Sequence, residues 1–172
     1  MEAADSIAAF LNSIGIPCRI GEIPQSTLLP GIYLEAGEIV WDPARLSHPG
    51  DLLHEAGHIA TAPPSSRARM TGTLESTPAD EMAAIAWSYG ASVHLGLDPR
   101  VLFHADGYKG GSDSLITAFA TEQPPGSPLL AWYGMTALSH EDPAVRARPN
   151  IYPSMRTWLR MVEKPEEADA EA

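Results

Sequence analysis

The stretch His54-Glu55-Ala56-Gly57-His58 constrains this chain more than any other, and it lies inside a largely apolar run from residue 51 to 60. If the run is helical, the two histidines lie four residues apart and face the same side of the helix. That spacing lets two imidazoles bind one tetrahedral Zn²⁺. Glu55 follows the first histidine directly, so it points slightly to the side, where a catalytic water would lie. The pattern predicts His54 and His58 as metal ligands and Glu55 as a general base.

The alternative interpretation of this stretch is a solvent-exposed helix face that merely carries two histidines and a glutamate. Leu52, Leu53 and Ile59 argue against it, because they make most of the helix apolar, as expected for one that is largely buried. Three ionisable groups on a buried helix need partners, and one metal ion satisfies all three. The spacing is that of the HExxH motif of zinc metallopeptidases.

Length and composition favour one globular domain. The chain has 172 residues, 44% of them hydrophobic, so we predict a single domain over residues 1–163 and an acidic, disordered tail over 164–172. Cys18 is the only cysteine, which excludes an internal disulfide and a zinc site built from several thiolates.

The charge balance bears on partners and location. A formal net charge of -11 argues against nucleic acid and an anionic membrane surface as direct partners, because both attract cationic residues. The first residues are acidic where a signal peptide is basic, and no apolar run has the length of a membrane span. We therefore predict a cytoplasmic protein. The oligomeric state is left open.

Local patterns predict both strands and helices. Two β-prone runs around Ala36-Gly37 favour a hairpin over 31–41, because Gly37 can take the positive φ of a tight turn. Pro63-Pro64 ends the HExxH helix, and Thr77 is a good N-cap for the next one. The other predicted elements are a strand over 16–23 and helices over 3–14, 77–95, 98–104, 112–121, 129–138 and 151–162. Four aromatics are predicted to lie in the core: Trp41, Trp87, Trp132 and Trp158.

Catalytic zinc takes three protein ligands, so a third ligand must come from a separate element. Glu81 is our candidate, because it lies near the start of the next helix, which can cross behind the HExxH helix. Ser88 and Ser92 fall on the same face and are predicted to supply supporting hydrogen bonds. Glu81 is otherwise an acid that only favours the helix dipole. The other candidate ligands are Asp80 and Glu75, followed by His94, His104 and His140.

Four segments together resemble the ImmA/IrrE-type zincin metallopeptidases over roughly residues 16–92. They are Gly31-Ile-Tyr-Leu34, Ile39-Val40, residues 52–58 and Glu81-x-x-Ala84-x-x-Trp87-Ser88. The resemblance implies a zincin-like α+β fold, in which a small twisted β-sheet with a hairpin packs on the HExxH helix and on a glutamate-bearing helix, with further helices C-terminal. It also implies Zn²⁺ bound by His54, His58 and Glu81, with Glu55 as the base. Ala56 departs from the family's usual leucine.

The predicted function is zinc-dependent hydrolysis of peptide bonds, with a protein or peptide as the substrate. Strand Glu38–Trp41 is predicted to offer an edge to which an extended peptide adds. Tyr108, in the Gly-rich segment 104–112, is one candidate donor to the oxyanion of the tetrahedral intermediate, although such segments are more often ordinary surface turns. Other candidate donors are His104, Tyr89, Tyr133 and His140.

Two other classes of protein fit the same residues. A zinc-stabilised, non-catalytic protein-interaction domain would keep the ligands and cut nothing. A plain structural domain would have histidines that bind no metal. The intact Glu55 favours catalysis over scaffolding.

Overall fold

The computed structural model describes residues 2–121, 124–138 and 150–163. The predicted tail over 164–172 and the candidate residue His140 lie outside these ranges. The described chain is a mixed α+β structure with a small three-stranded sheet and several helices. None of the helices in these ranges is both long and apolar enough to cross a bilayer.

The sheet contains the predicted hairpin and one further strand. Strands β2 (Ile32–Glu35) and β3 (Glu38–Trp41) pair antiparallel, and the turn between them places Ala36 and Gly37 at φ values of 52° and 81°. Strand β1 (Cys18–Ile20) pairs parallel with β3, so the strand order is β1-β3-β2. The prediction that β3 offers a free edge is therefore wrong, because β1 and β2 occupy both of its sides.

Two long helices pack against each other beneath the sheet and form the centre of the core. Helix α1 (Glu2–Ser13) precedes β1, α2 (Gly50–Thr61) carries the HExxH motif, and α3 (Pro78–His94) follows it. The two long helices approach closely at Gly57, where a Cβ atom would lie only 2.5 Å from the carbonyl oxygen of Ala84. A side chain at that position would force the helices apart, so the glycine inside the motif has a packing role.

The start of α3 follows the sequence prediction closely. Thr77 is the N-cap, and its hydroxyl oxygen accepts a hydrogen bond from the Asp80 backbone N–H at 3.2 Å. The Asp80 carboxylate accepts in turn from the Thr77 backbone N–H at 3.1 Å, which completes a capping box. The Asp80 carboxylate therefore caps the start of α3, whereas the Glu81 carboxylate takes no part in the capping box.

The chain from residue 99 onwards differs most from the sequence prediction. Its described residues include the short helices α4 (Pro99–Leu102), α5 (Ser112–Phe119) and α6 (Ser127–Trp132). The helix predicted over 129–138 corresponds to α6, which begins and ends earlier.

The helix predicted over 151–162 is wrong. Several of its backbone N–H groups donate to distant segments, with Tyr152 donating to Ala137 and Arg156 to Met135, while Ser154 forms only a turn bond to Ile151. Pro153 has no N–H to donate. Tyr152, Met155, Trp158 and Leu159 pack on the core without helical structure, whereas Met161 and Val162 are exposed.

The tryptophan prediction holds for three residues of four. Trp41 and Trp87 are buried, and Trp158 packs against the core, where its carbonyl oxygen accepts the Trp87 indole N–H at 2.9 Å. Trp132 is 69% exposed, so its predicted core position is wrong. It is the last residue of α6, whose inward face is formed by Leu130 instead.

Candidate metal centre

His54, His58 and Glu81 converge on one point between α2 and α3. The Nε2 atoms of the two histidines lie 3.4 Å apart. Glu81 places one carboxylate oxygen 3.3 Å from His54 Nε2 and the other 3.4 Å from His58 Nε2. The three residues form a group that could hold a metal ion.

These separations match the dimensions of a zinc site. Bonds of roughly 2.0–2.1 Å in a tetrahedron place neighbouring ligand atoms about 3.3–3.4 Å apart. The donor set of two imidazoles and one carboxylate is a usual one for catalytic zinc. Three donors at this spacing would leave the fourth tetrahedral position open.

Each ligand candidate is positioned by its helix. The two histidines are one helical turn apart on α2, with His58 buried and the side chain of His54 16% exposed. Glu81 lies in the first turn of α3, which Gly57 allows to approach α2. The predicted arrangement of these three residues is therefore present in the structure.

The predicted supporting role of the two serines is wrong. Ser88 is fully buried, and its hydroxyl donates to the carbonyl oxygens of Leu53 and Ala84 at 2.9 and 2.7 Å. Ser92 bonds to the carbonyl oxygen of Tyr89. Neither serine contacts the histidines or Glu81; Ser88 instead joins α3 to α2.

Burial and mutual charge set the protonation of the ligand candidates. Burial, together with the charge of the adjacent His58, lowers the pKa of His54 to about 4. The hydrogen bond from His58 holds the pKa of the Glu81 carboxyl below its usual value. Burial alone would lower the pKa of His58, but its hydrogen bond to Glu81 and the nearby carboxylates raise it overall. A neutral His54 and an ionised Glu81 are the forms that bind a metal.

Glu55 lies beside the convergent group without belonging to it. It is half-buried and lines the same cavity as the three ligand candidates. Burial raises the pKa of Glu55 to about 7, while the neighbouring His58 opposes the shift. A carboxylate that exchanges its proton near neutral pH is suited to general base and acid work.

The cavity extends from the metal centre to the outer edge of the sheet. Its volume is about 680 Å³, and its walls include Ile32, Tyr33 and Leu34 of β2 and the segment 26–29. In the antiparallel pair of β2 and β3, hydrogen-bonded and non-hydrogen-bonded residue pairs alternate. Ile32 and Leu34 belong to the non-hydrogen-bonded pairs, so their N–H and C=O groups point away from β3. The Leu34 carbonyl oxygen accepts from the Gly72 N–H, and the Ile32 N–H donates to the Leu29 carbonyl oxygen. The Ile32 carbonyl and the Leu34 N–H have no backbone partner among the residues that the structure describes, and we call them the open groups of this edge.

Tyr108 is the candidate oxyanion donor that lies beside the metal centre. Its ring meets the His54 ring edge-on, with centroids 6.0 Å apart. Tyr89 instead stacks among Phe103 and Phe119. The Tyr133 ring lies under the guanidinium of Arg160, at 4.0 Å. His140 lies outside the described residues.

The remaining ligand candidates have other surroundings. Asp80 belongs to the capping box, and Glu75 lines a smaller cavity of which His58 is also a wall. His94 packs between the rings of Phe10 and Trp158. These three residues therefore stand apart from the convergent group.

A second group of histidines and carboxylates lies next to the centre and was not predicted as a unit. His48, His104 and Asp106 have donor atoms close enough to share a metal ion. However, the two imidazole rings are stacked 3.6 Å apart and only 4° from parallel. Imidazole binds a metal in the plane of its ring, so two stacked rings cannot both direct a lone pair at one ion. These loop residues come together only in the folded chain, and no local sequence spacing predicts the group.

Comparisons of this chain with family models, curated proteins and solved structures return no match.

Proposed function

We propose that this chain is a zinc-dependent metallopeptidase with a zincin-like arrangement of a hairpin, an HExxH helix and a glutamate-bearing helix. The observation that carries the proposal is the convergence of His54, His58 and Glu81. The two Nε2 atoms lie 3.4 Å apart, and each lies 3.3–3.4 Å from a different oxygen of the Glu81 carboxylate, which is close to the spacing of ligand atoms in a tetrahedral zinc site. The resemblance to ImmA/IrrE-type zincins agrees with it and stays a prediction.

Zinc, when bound, would polarise the substrate carbonyl and acidify the attacking water. His54, His58 and Glu81 would hold the ion. Glu55 would accept the proton of the water and deliver it to the leaving amine. In the metal-free protein burial raises the pKa of Glu55 to about 7, which favours uptake of a proton by its carboxylate.

The proposed substrate is a protein or peptide in extended conformation. Ile32 and Leu34 on β2 line the cavity that contains Glu55, and each has one open backbone group. An added strand could form main-chain hydrogen bonds with both groups, which would fix the substrate backbone relative to the metal centre. This edge replaces the one predicted on β3.

The test compares wild-type protein with Glu55→Gln, using Glu75→Gln as a control in which a carboxylate outside the convergent group is changed. Each protein is loaded with zinc, its metal content is measured, and it is incubated with a mixed peptide library that is read by mass spectrometry. We expect stoichiometric zinc in all three and cleavage by wild type and Glu75→Gln only.

Cleavage that survives Glu55→Gln would contradict the proposed mechanism, and a wild type that binds no zinc would support a plain structural domain. Stoichiometric zinc without cleavage by the wild type would support the zinc-stabilised interaction domain.

A further inference from the structure

Tyr108 is held in a strained backbone conformation beside the metal centre. Its φ is 53°, in the left-handed region that costs a non-glycine residue on the order of 1 kcal/mol. The ring is wedged between His54, with centroids 6.0 Å apart, and Phe103, at 5.3 Å. Such strain persists only where surrounding contacts fix the residue. Further contacts anchor the segment from His104 to Ser112, which carries Tyr108.

The main anchor of this segment is a buried pair between His104 and Asp51. His104 Nε2 lies 2.9 Å from an Asp51 carboxylate oxygen, and the two side chains are only 12% and 8% exposed. The Ser112 hydroxyl donates to the His104 carbonyl oxygen at 2.6 Å, which draws the far end of the segment to the same residue. Asp51 lies on α2, three residues before His54, so the segment is anchored to the helix that carries both histidine ligands.

A second, weaker tie supports the first. His48 Nε2 lies 3.2 Å from an Asp106 carboxylate oxygen, and the His48 ring stacks on His104. The Asp106 side chain is 81% exposed, so solvent screens this pair. The hydrogen bond between His104 and Asp51 is shielded from water and is correspondingly stronger.

His104 itself has no group free to act on a substrate. Asp51 occupies its Nε2, and its Nδ1 is buried. The Gly107 backbone lies over the ring, since a Cβ there would be 2.8 Å from His104 Cε1. Any effect of His104 on the reaction must therefore pass through the residue whose position it fixes.

We propose that Asp51 and His104 are positioning residues that hold Tyr108 beside the metal centre, where the Tyr108 hydroxyl donates a hydrogen bond to the oxyanion of the substrate. This inference rests on the proposed function.

The test uses the full chain with four substitutions: His104→Gln, Asp51→Asn, Tyr108→Phe and, as control, Asp113→Asn, which alters a side chain that is 93% exposed. The first measurement is the nuclear Overhauser contact between the Tyr108 and His54 rings in the metal-free protein, together with the thermal melt. The second is kcat and KM of the zinc-loaded protein on a peptide that the wild type cleaves.

We expect His104→Gln and Asp51→Asn to lose the ring contact, while Tyr108→Phe and Asp113→Asn keep it. The expected fall in kcat is roughly hundredfold for Tyr108→Phe and similar for His104→Gln, with KM little changed. The double variant of these two should be no slower than Tyr108→Phe alone, because both remove the same hydrogen bond. A merely structural role for His104 would instead make the two effects multiply.

Persistence of the ring contact in a folded His104→Gln or Asp51→Asn variant would overturn the positioning role, as would multiplied effects in the double variant. If His104→Gln does not fold, Asp51→Asn decides by the same measurements. If the wild type binds no zinc or cleaves nothing, the proposed function fails, whereas the ring contact still decides whether these residues position Tyr108.

Discussion

The Ser88 hydroxyl on α3 donates a 2.9 Å hydrogen bond to the carbonyl oxygen of Leu53 on α2, directly before His54. Gly57 lies at the same crossing, where a Cβ atom would be 2.8 Å from Ser88 Oγ. Because Glu81 belongs to α3 and both histidines to α2, this contact sets the distance between the carboxylate and the imidazoles. The geometry of the candidate metal centre thus depends on helix packing as well as on the motif.

Gly57→Ala is expected to lower both stability and zinc affinity. The new methyl group would lie 2.5 Å from the Ala84 carbonyl oxygen, so the helices must separate. Overpacking of this kind costs about 1–3 kcal/mol in the free energy of unfolding, measured by urea denaturation of the metal-free protein.

The matched control is Gly90→Ala, a helical position on α3 whose Cβ would meet its nearest neighbour, the Pro153 carbonyl oxygen, at 3.1 Å. It should cost less and leave zinc affinity unchanged. Equal zinc affinity in Gly57→Ala and wild type would show that the helix crossing does not set the site.

Glu81→Gln and Asp80→Ala change adjacent acids, and we expect the first to weaken zinc binding and the second to lower stability. Glu81→Gln removes a ligand and should weaken zinc binding by about a hundredfold or more in a competition titration with a chelator. Asp80→Ala removes half of the capping box, so it should lower the free energy of unfolding by about 1 kcal/mol and leave zinc binding intact. Loss of zinc binding in Asp80→Ala alone would reverse the assignment of the third ligand.

Cys18 is expected to make stability fall at alkaline pH. Burial, with the charge of Glu38, raises the pKa of this thiol from 9.0 to about 12. The unfolded chain therefore releases the proton near pH 9 while the folded protein keeps it, so the free energy of unfolding decreases as the pH rises above 9. Between pH 8 and 10 the loss should be about 1 kcal/mol more in wild type than in Cys18→Ala, measured by urea denaturation. Parallel profiles would contradict this.

Arg67 is expected to stabilise the C-terminal end of α2. Its guanidinium donates to the carbonyl oxygens of Ile59, Ala60 and Ala62 and also contacts that of Arg160. Arg67→Met would leave these acceptors without a donor, at a cost of about 2–3 kcal/mol in the thermal or urea unfolding of the protein. The control is Arg69→Met, which changes an exposed residue of the short 3-10 helix Pro64–Arg69 that also contains Arg67. It should leave the free energy of unfolding nearly unchanged. An equal loss in both variants would mean that the bonds to α2 contribute nothing specific.

Sequence alone was sufficient for the parts of this molecule that depend on local spacing. The four-residue interval between His54 and His58 fixes their common face on any helix. The Thr77 cap and the Ala36-Gly37 turn are likewise decided by a few neighbouring residues. Glu81 could be proposed because the helix following an HExxH helix has few ways to pack against it.

The failures lie where long-range contacts decide. Whether β3 or β2 forms an edge depends on β1 pairing with β3, which no local pattern encodes. The apolar residues between 151 and 162 suggest a helix, yet their backbone groups bond to residues far away in the chain. Ser88 has helical spacing to Glu81, but its hydroxyl is taken by the facing helix.

The most direct test of the account is X-ray diffraction of zinc-loaded crystals on both sides of the zinc absorption edge. We expect one strong anomalous peak about 2.0–2.2 Å from His54 Nε2, His58 Nε2 and a Glu81 carboxylate oxygen, with Glu55 close by and not bound to the ion. A peak at His48 and His104 instead, or none at the HExxH helix under saturating zinc, would contradict the assignment of this site as the metal centre.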